Sequence, residues 1–321
     1  MFTRPALRPL RALTGLAALM AVSACEMLPE PALPETEQQV EPASVFIPDP
    51  VRPTSTKSAE LRGYLGAVQS SQLTQGLLRR DGGGPDTPFT SDMLARNFIR
   101  IAFFNEYGGP NLRRGGQTRL RRWVDPVQMS VVFGSSVPRS QRDRDTRDVE
   151  SYARRLTRAT GHPVTVGPNP NFLVFFVSED DRATTIDRIA PMLPGVTQTN
   201  LAPVRNLSDD TYCAVAAYAG GDDPYVYTAA VAVIRAENPD LLRLSCIHEE
   251  LAQGLGLAND SPEARPSIFN DDDEFALLTT HDEALLAMLY DDRLSPGMAL
   301  EQARPIVRDL ASGIVDGAGP S

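Results

Sequence analysis

The residues best suited to chemistry lie in one stretch, Cys246-Ile247-His248-Glu249-Glu250-Leu251-Ala252-Gln253-Gly254-Leu255-Gly256-Leu257-Ala258-Asn259-Asp260-Ser261. Positions four apart on a helix share a face, so Glu249 and Gln253 stand together. Glu250 paired with Asp260 would serve metal-free glycan hydrolysis, which needs two carboxylates roughly 5–9.5 Å apart. The chain holds three histidines, His162, His248 and His281, so a three-histidine zinc site would consume all of them. Two are far from the stretch or outside it, and the composition argues against such a site. The run Asn270-Asp271-Asp272-Asp273-Glu274 reads as a solvated acidic loop, with a separate calcium site as the alternative. Ser135-Ser136 lacks the nucleophile elbow of a serine hydrolase. Asp81-Gly82-Gly83-Gly84-Pro85 lacks the Gly-Lys-Ser/Thr ending of a phosphate loop and reads as a turn.

The elements that must position these residues follow from periodicity. The stretch itself sits on a predicted helix over 239–256. Further helices fit 58–79, 91–106, 138–160, 181–193, 281–290 and 298–313. Strands fit 127–133, 163–166, 172–177, 212–219 and 226–234, the last two forming a meander around Gly220-Gly221-Asp222-Asp223-Pro224. Trp123 and Phe103-Phe104 read as core. Strands interspersed with helices predict an α+β fold, an α/β sandwich whose mixed, twisted sheet is packed by helices. The expected organisation is a signal segment over 1–24, a tether over 25–56, a helical extension over 57–118 and a main domain over 119–321.

The N-terminus carries Arg4, Arg8 and Arg11, then an apolar run from Ala12 to Val22 that is too short to span a bilayer, which needs roughly 20 residues. It ends in Val22-Ser23-Ala24-Cys25, which resembles the lipobox of bacterial lipoproteins. That resemblance implies cleavage before Cys25, lipidation of its thiol, and an anchor in the cell envelope facing the periplasm. Glu26 after the cysteine favours the outer membrane. An ordinary cleaved signal peptide is the alternative. Residues 26–56 are rich in Pro and Glu and cannot bury enough apolar surface to fold alone. Loss of three arginines with residues 1–24 moves the formal charge from -10 to -13. An acidic chain with scattered arginine pairs has no basic footprint for nucleic acid. In an oxidising compartment Cys213 and Cys246 form an even pair and are expected to bridge, two buried free thiols being the alternative.

The central stretch resembles the metzincin zinc-protease signature, His-Glu-x-x-His-x-x-Gly-x-x-His. In this register Glu250 falls on the catalytic glutamate and Gly256 on the turn glycine. The resemblance puts Glu249, Gln253 and Asn259 at the three ligand positions, none of them histidine; one carboxylate and two amides are hard oxygen donors that suit calcium better than zinc. A register starting at His248 puts Glu249 at the base position and Ala252 at the second ligand, and displaces the glycine. Ser267-Ile268-Phe269 is similar to the family's Ser-Ile-Met turn, with Phe269 at the methionine. Asp282, Leu286, Leu289 and Tyr290 resemble its closing helix. The resemblance covers roughly residues 120–295 and implies a zincin-like sheet with a degenerate site.

The mature chain also resembles the bacterial family called domain of unknown function 2927. The segments that carry this are Gln75-Gly76-Leu77-Leu78-Arg79, Asn97-Phe98-Ile99-Arg100-Ile101, Cys246 to Asp260, and Leu289 to Met298. Members are described as lipoproteins. Together these readings predict a lipid-anchored, non-catalytic domain that holds no cofactor and binds an extended peptide or envelope protein. The alternatives are a zinc- or calcium-dependent peptidase with atypical ligands and a glycan hydrolase using Glu250.

Overall fold

A computed structural model describes residues 54–105, 116–270 and 272–317, with the backbone alone for 107–108 and 113–114. The expected signal segment, Cys25 and nearly all of the tether lie outside the described residues. In chain order the elements are α1 (Thr56–Thr74), α2 (Ser91–Ala102), β1 (Tyr107–Gly108), β2 (Arg113–Arg114), β3 (Arg122–Trp123) and β4 (Val127–Phe133). Then come α3 (Arg139–Thr160), β5 (Val164–Val166), β6 (Phe172–Val177), α4 (Arg182–Ile189) with a 3-10 turn at Ala190–Met192, and α5 (Ala202–Arg205). The chain continues through β7 (Cys213–Tyr218), β8 (Val226–Tyr227), β9 (Ala229–Arg235), α6 (Asp240–Gln253), α7 (Thr280–Leu289) and α8 (Leu300–Gly317).

Five strands form the main sheet in the order β5-β4-β6-β9-β7. The first four are parallel and β7 runs antiparallel at the edge beside β9. The fold is therefore the mixed sheet packed by helices that the periodicity predicts. The central strands explain themselves. Phe172-Leu173-Val174-Phe175-Phe176-Val177 is a continuous apolar run, as a parallel strand covered on both faces requires, and every residue of it is buried. Phe172, Val174 and Phe176 face a core shared by α2, α3, α6, α7 and α8. Leu173, Phe175 and Val177 face a smaller core under α4 and α5.

The edge strand is only half-buried along its length. Arg235 donates its backbone N–H to the Tyr212 carbonyl at 3.2 Å, which sets the phase of the antiparallel ladder. Even-numbered residues of β7 pair with β9, so Cys213, Val215 and Ala217 direct their N–H and C=O groups away from the sheet. Their side chains pack on the α6 face, while Ala214, Ala216 and Tyr218 pack on the α4–α5 face.

Several elements differ from the periodicity: α2, α4 and α6 stop at Ala102, Ile189 and Gln253, short of their expected ends, and two further differences have clear causes. Helix α1 stops at Thr74, and the apolar pair Leu77-Leu78 leaves it. Leu78 and Arg79 instead donate their N–H groups to Asp273 and Glu274, at 2.9 and 2.8 Å. The segment 226–234 is broken at Thr228, because Val226 and Tyr227 pair in parallel with Arg122 and Trp123. Helix α1 docks through Leu61 and Leu65 against Leu242, with Ser58 donating to Glu237 at 2.6 Å.

Candidate functional site

Helix α6 starts after Pro239 and is fixed by Arg243. That guanidinium is buried and donates to Asp145 on α3 at 2.7 Å, to the Asn238 carbonyl at 2.6 Å and to Asp240 at 2.8 Å. One turn further along, Cys246 forms a disulfide with Cys213, tying the edge strand to the helix. Glu249 and Glu250 follow at three and four positions beyond Cys246. A ligand oxygen of each and Cys213 Sγ lie within 4.8 Å of one another. Glu250 is buried and Glu249 half-buried.

The bridge closes a span of 33 residues, for which loop-entropy arguments give about 4 kcal/mol. Joint replacement of Cys213 and Cys246 by serine should lower the unfolding free energy by that amount in urea. Reduction of the native protein with a dithiol should reproduce the loss. A change below about 1 kcal/mol would show that the bridge does not hold β7 to α6.

The helix ends at Gly254 and the chain turns under tight constraint. Trp123 donates its indole N–H to the Gly254 carbonyl at 2.9 Å, and the Tyr290 hydroxyl donates to the Leu255 carbonyl at 3.0 Å. Gly256 has φ +128°, and a Cβ there would stand 2.5 Å from the Arg121 carbonyl oxygen. Glycine alone fits that backbone and that approach. Gly254 is required for a different reason, since a Cβ would meet the Phe172 ring at 2.5 Å.

Two of the expected ligand positions have partners outside the trio. Gln253 donates its amide to Asp260 at 3.0 Å, and Asn259 donates to the Arg100 carbonyl of α2 at 2.9 Å. Neither bond joins the trio of Glu249, Gln253 and Asn259. Among the described residues, the three-membered group of candidate ligand atoms is Cys213, Glu249 and Glu250, and it contains no histidine. The sulfur of Cys213 is spent in the disulfide, which leaves two adjacent carboxylates. Zinc takes three or four nitrogen, sulfur or oxygen ligands in tetrahedral array, so this donor set does not fit it.

Beneath α6, Phe269 is fully buried and its carbonyl accepts from Ser261 at 2.8 Å. Its turn is held by Asp282 of α7, which accepts from the Ser267 hydroxyl at 2.5 Å and the Ile268 N–H at 3.1 Å. His248, which the alternative register puts at its first position, lies within α6 and serves as a positioning residue. Its Nδ1 accepts from the Leu278 N–H at 2.9 Å, its ring stacks on Tyr152 at 4.0 Å, and the Tyr152 hydroxyl donates to its carbonyl at 2.6 Å. Its place on the buried face of an otherwise apolar turn was the signal available. The other histidines serve elsewhere. His162 lies 2.9 Å from the Asp125 carbonyl and packs on Tyr290, and His281 is buried against Asn97 at 3.0 Å.

The acidic loop is engaged by the chain itself. Asp273 accepts from Gln72 at 2.6 Å, and Glu274 pairs with Arg265 at 2.6 Å and Arg79 at 3.1 Å. Arg265 beside it is the main influence that holds the Glu274 carboxyl below its usual range. Ser136 donates its N–H to Asp181 at 2.9 Å. Trp123 and Phe103 are core, as their sequence context predicts.

At the Tyr218 end of β7 a cavity of about 540 Å³ opens, lined by Arg121, Asn200, Ala217, Tyr218, Asp222 and Tyr227 among others. The site is thus an open sheet edge running beside a clamped, carboxylate-bearing helix, closed at one end by a disulfide and open at the other into a cavity.

These features define a mixed-sheet α/β protein with an acidic helix packed against an antiparallel edge strand. The chain belongs to the family described as Protein of unknown function (DUF2927), which matches residues 91–309. No curated protein and no solved structure matches it.

Proposed function

We propose that the chain is a lipoprotein of the cell envelope, anchored through Cys25, whose folded body is a non-catalytic, metalloprotease-like module that binds extended peptides. The observation that carries this reading is β7. It is an edge strand whose outward N–H and C=O groups at Cys213, Val215 and Ala217 face no other strand among the described residues. An extended segment adds to such an edge through main-chain hydrogen bonds. Further support comes from the order of parts: antiparallel edge strand, helix bearing Glu250, glycine turn at Gly256, buried Phe269 turn and closing helix α7. The metzincin resemblance arranges the same parts around a peptide groove. Ligand positions held by Glu249, Gln253 and Asn259, with their amides committed to Asp260 and Arg100, support loss of catalysis.

The test combines metal content with edge binding. The mature chain, purified without chelator or nickel resin, is expected to hold no stoichiometric zinc or calcium by mass spectrometry. One ion per chain would return the reading to a hydrolase and direct work to Glu250→Gln. Extended peptides should bind the wild type and lose affinity at least tenfold on Val215→Pro. That change removes an outward N–H while leaving the ladder to β9 intact. Equal affinity in both would remove strand addition.

A further inference from the structure

We propose that the cavity at the Tyr218 end of β7 is a subsite for one acidic side chain of the bound peptide, read by Arg121. This inference rests on the strand-addition reading and adds the ligand's chemistry to it. The buried arginines of this acidic chain are charge-paired: Arg235 with Glu179, Arg243 with Asp145, Arg182 with Glu179. Arg121 differs. It is half-buried, and among the described residues no carboxylate forms an ion pair with it. Its Nη2 donates to the neutral Asn105 side chain, and its guanidinium lies 5.8 Å from the centre of the Tyr227 ring.

A guanidinium carries five N–H donors in a fixed fork. An amide partner uses one of them, and among the described residues no ion pair compensates the charge. Arg121 lines a cavity of about 540 Å³. Carboxylates are the natural partner of that fork, in bidentate, charge-assisted bonds. Two of the other polar walls, Tyr218 and Asn200, are already hydrogen-bonded. The Tyr218 hydroxyl donates to the Asn200 carbonyl at 3.0 Å, while the Asn200 side chain accepts from Thr197 at 2.7 Å and donates to Gly195 at 3.1 Å. They shape the cavity without competing for the ligand. Ala217, with its small side chain on the α6 face, keeps the entrance open.

The fork is also held in place before any ligand arrives. Arg121 precedes β3, and its carbonyl is packed against the Gly256 turn. Asn105 and Tyr227 then fix the side chain. Preorganisation of this kind lowers the ordering cost of binding. Asp222 shares the lining and is exposed, so a run of acids would meet repulsion where a single carboxylate would not. Direction follows from the strand. A segment adding antiparallel to β7 has its N-terminal half beside Tyr218, so the acidic residue precedes the part lying over Val215.

The test uses the full mature chain and a set of extended decapeptides with a neutral background and a single Glu moved along it. Affinity is read by fluorescence anisotropy against the same peptides carrying Gln. One position in the N-terminal half is expected to bind at least tenfold tighter as Glu than as Gln. That preference should vanish in Arg121→Gln and shrink as salt is raised in the wild type. The salt series keeps the test valid if the variant does not fold. Binding that is indifferent to the position of Glu, with Val215→Pro still effective, would overturn the acidic subsite and leave strand addition standing. Absence of binding by every peptide would overturn both.

Discussion

Asp282→Ala is expected to lower the unfolding free energy by about 4–5 kcal/mol, the largest effect of a single replacement at this site. The side chain is fully buried. One oxygen accepts from Ser267, and the other accepts from the backbone N–H of Ile268 at 3.1 Å and of Thr279 at 2.9 Å. The Thr279 hydroxyl stands 2.8 Å from that second oxygen, completing a capping box at the start of α7. Alanine would strand these donors in a dry interior, each at a cost of about 1–3 kcal/mol. It would also release the turn that seats Phe269 under α6. Asp282→Asn keeps an oxygen for the two backbone donors and turns its amide toward Ser267, which can accept. It should therefore cost about half as much. Urea denaturation at neutral pH checks both variants. Equal losses would mean that the charge, not the hydrogen bonds, holds the turn; a loss below about 1 kcal/mol for alanine would remove Asp282 from this role.

His248 should make the protein acid-sensitive in a defined window. Burial, with the nearby Arg155 guanidinium as a second cause, holds its imidazole down to about 3 from an ordinary value of 6.5. The ring is neutral and carries its proton on Nε2, because Nδ1 accepts from Leu278. Between pH 6.5 and about 3 the unfolded chain binds a proton that the folded chain refuses. Stability therefore falls as pH drops through 6.5 and levels off below about 3, a total loss of roughly 5 kcal/mol from this residue. His248→Asn leaves an acceptor for Leu278 but gives up the stack on Tyr152. At neutral pH it should be less stable than the wild type by about 2 kcal/mol. The gap should close below pH 6, vanish at about pH 5 and reverse below that, because asparagine has nothing to protonate. Unfolding free energies across that range provide the check, and a constant gap would show that His248 is not the acid-sensitive group.

Residues 172–177 show why part of this fold was legible. Six consecutive apolar residues flanked by polar turns can only be a strand covered on both faces. Residues 127–133 alternate, and the helix over 139–160 ends at Gly161, whose φ of +69° suits glycine. The glycine turn at Gly256 and the pairing of Cys213 with Cys246 were legible through resemblances. The metzincin signature marks the turn, and the lipobox sets Cys25 aside and leaves two of the three cysteines as a pair.

Other features carried no local signal. The apolar spacing of Leu73 and Leu77 continues a helix on paper, yet Leu78 and Arg79 are drawn off to the acidic loop about 195 positions away. Val226 and Tyr227 look like the start of β9, but β3 captures them. Gln253 and Asn259 sit where ligands would sit, while their partners, Asp260 and the Arg100 carbonyl, depend on how the Gly256 turn and α2 come together.

Local steric rules therefore let the sequence by itself determine the class of sheet and the site helix. Both depend on apolar periodicity within short segments. Only the tertiary structure decided which strand edge is left open, that Asp282 holds the Phe269 turn while His248 ties α6 to Leu278 and Tyr152, and that Arg121 lines a cavity with no ion pair to a carboxylate among the described residues. Those outcomes depend on which distant groups satisfy one another's charges and hydrogen bonds, and that competition is resolved when the chain packs.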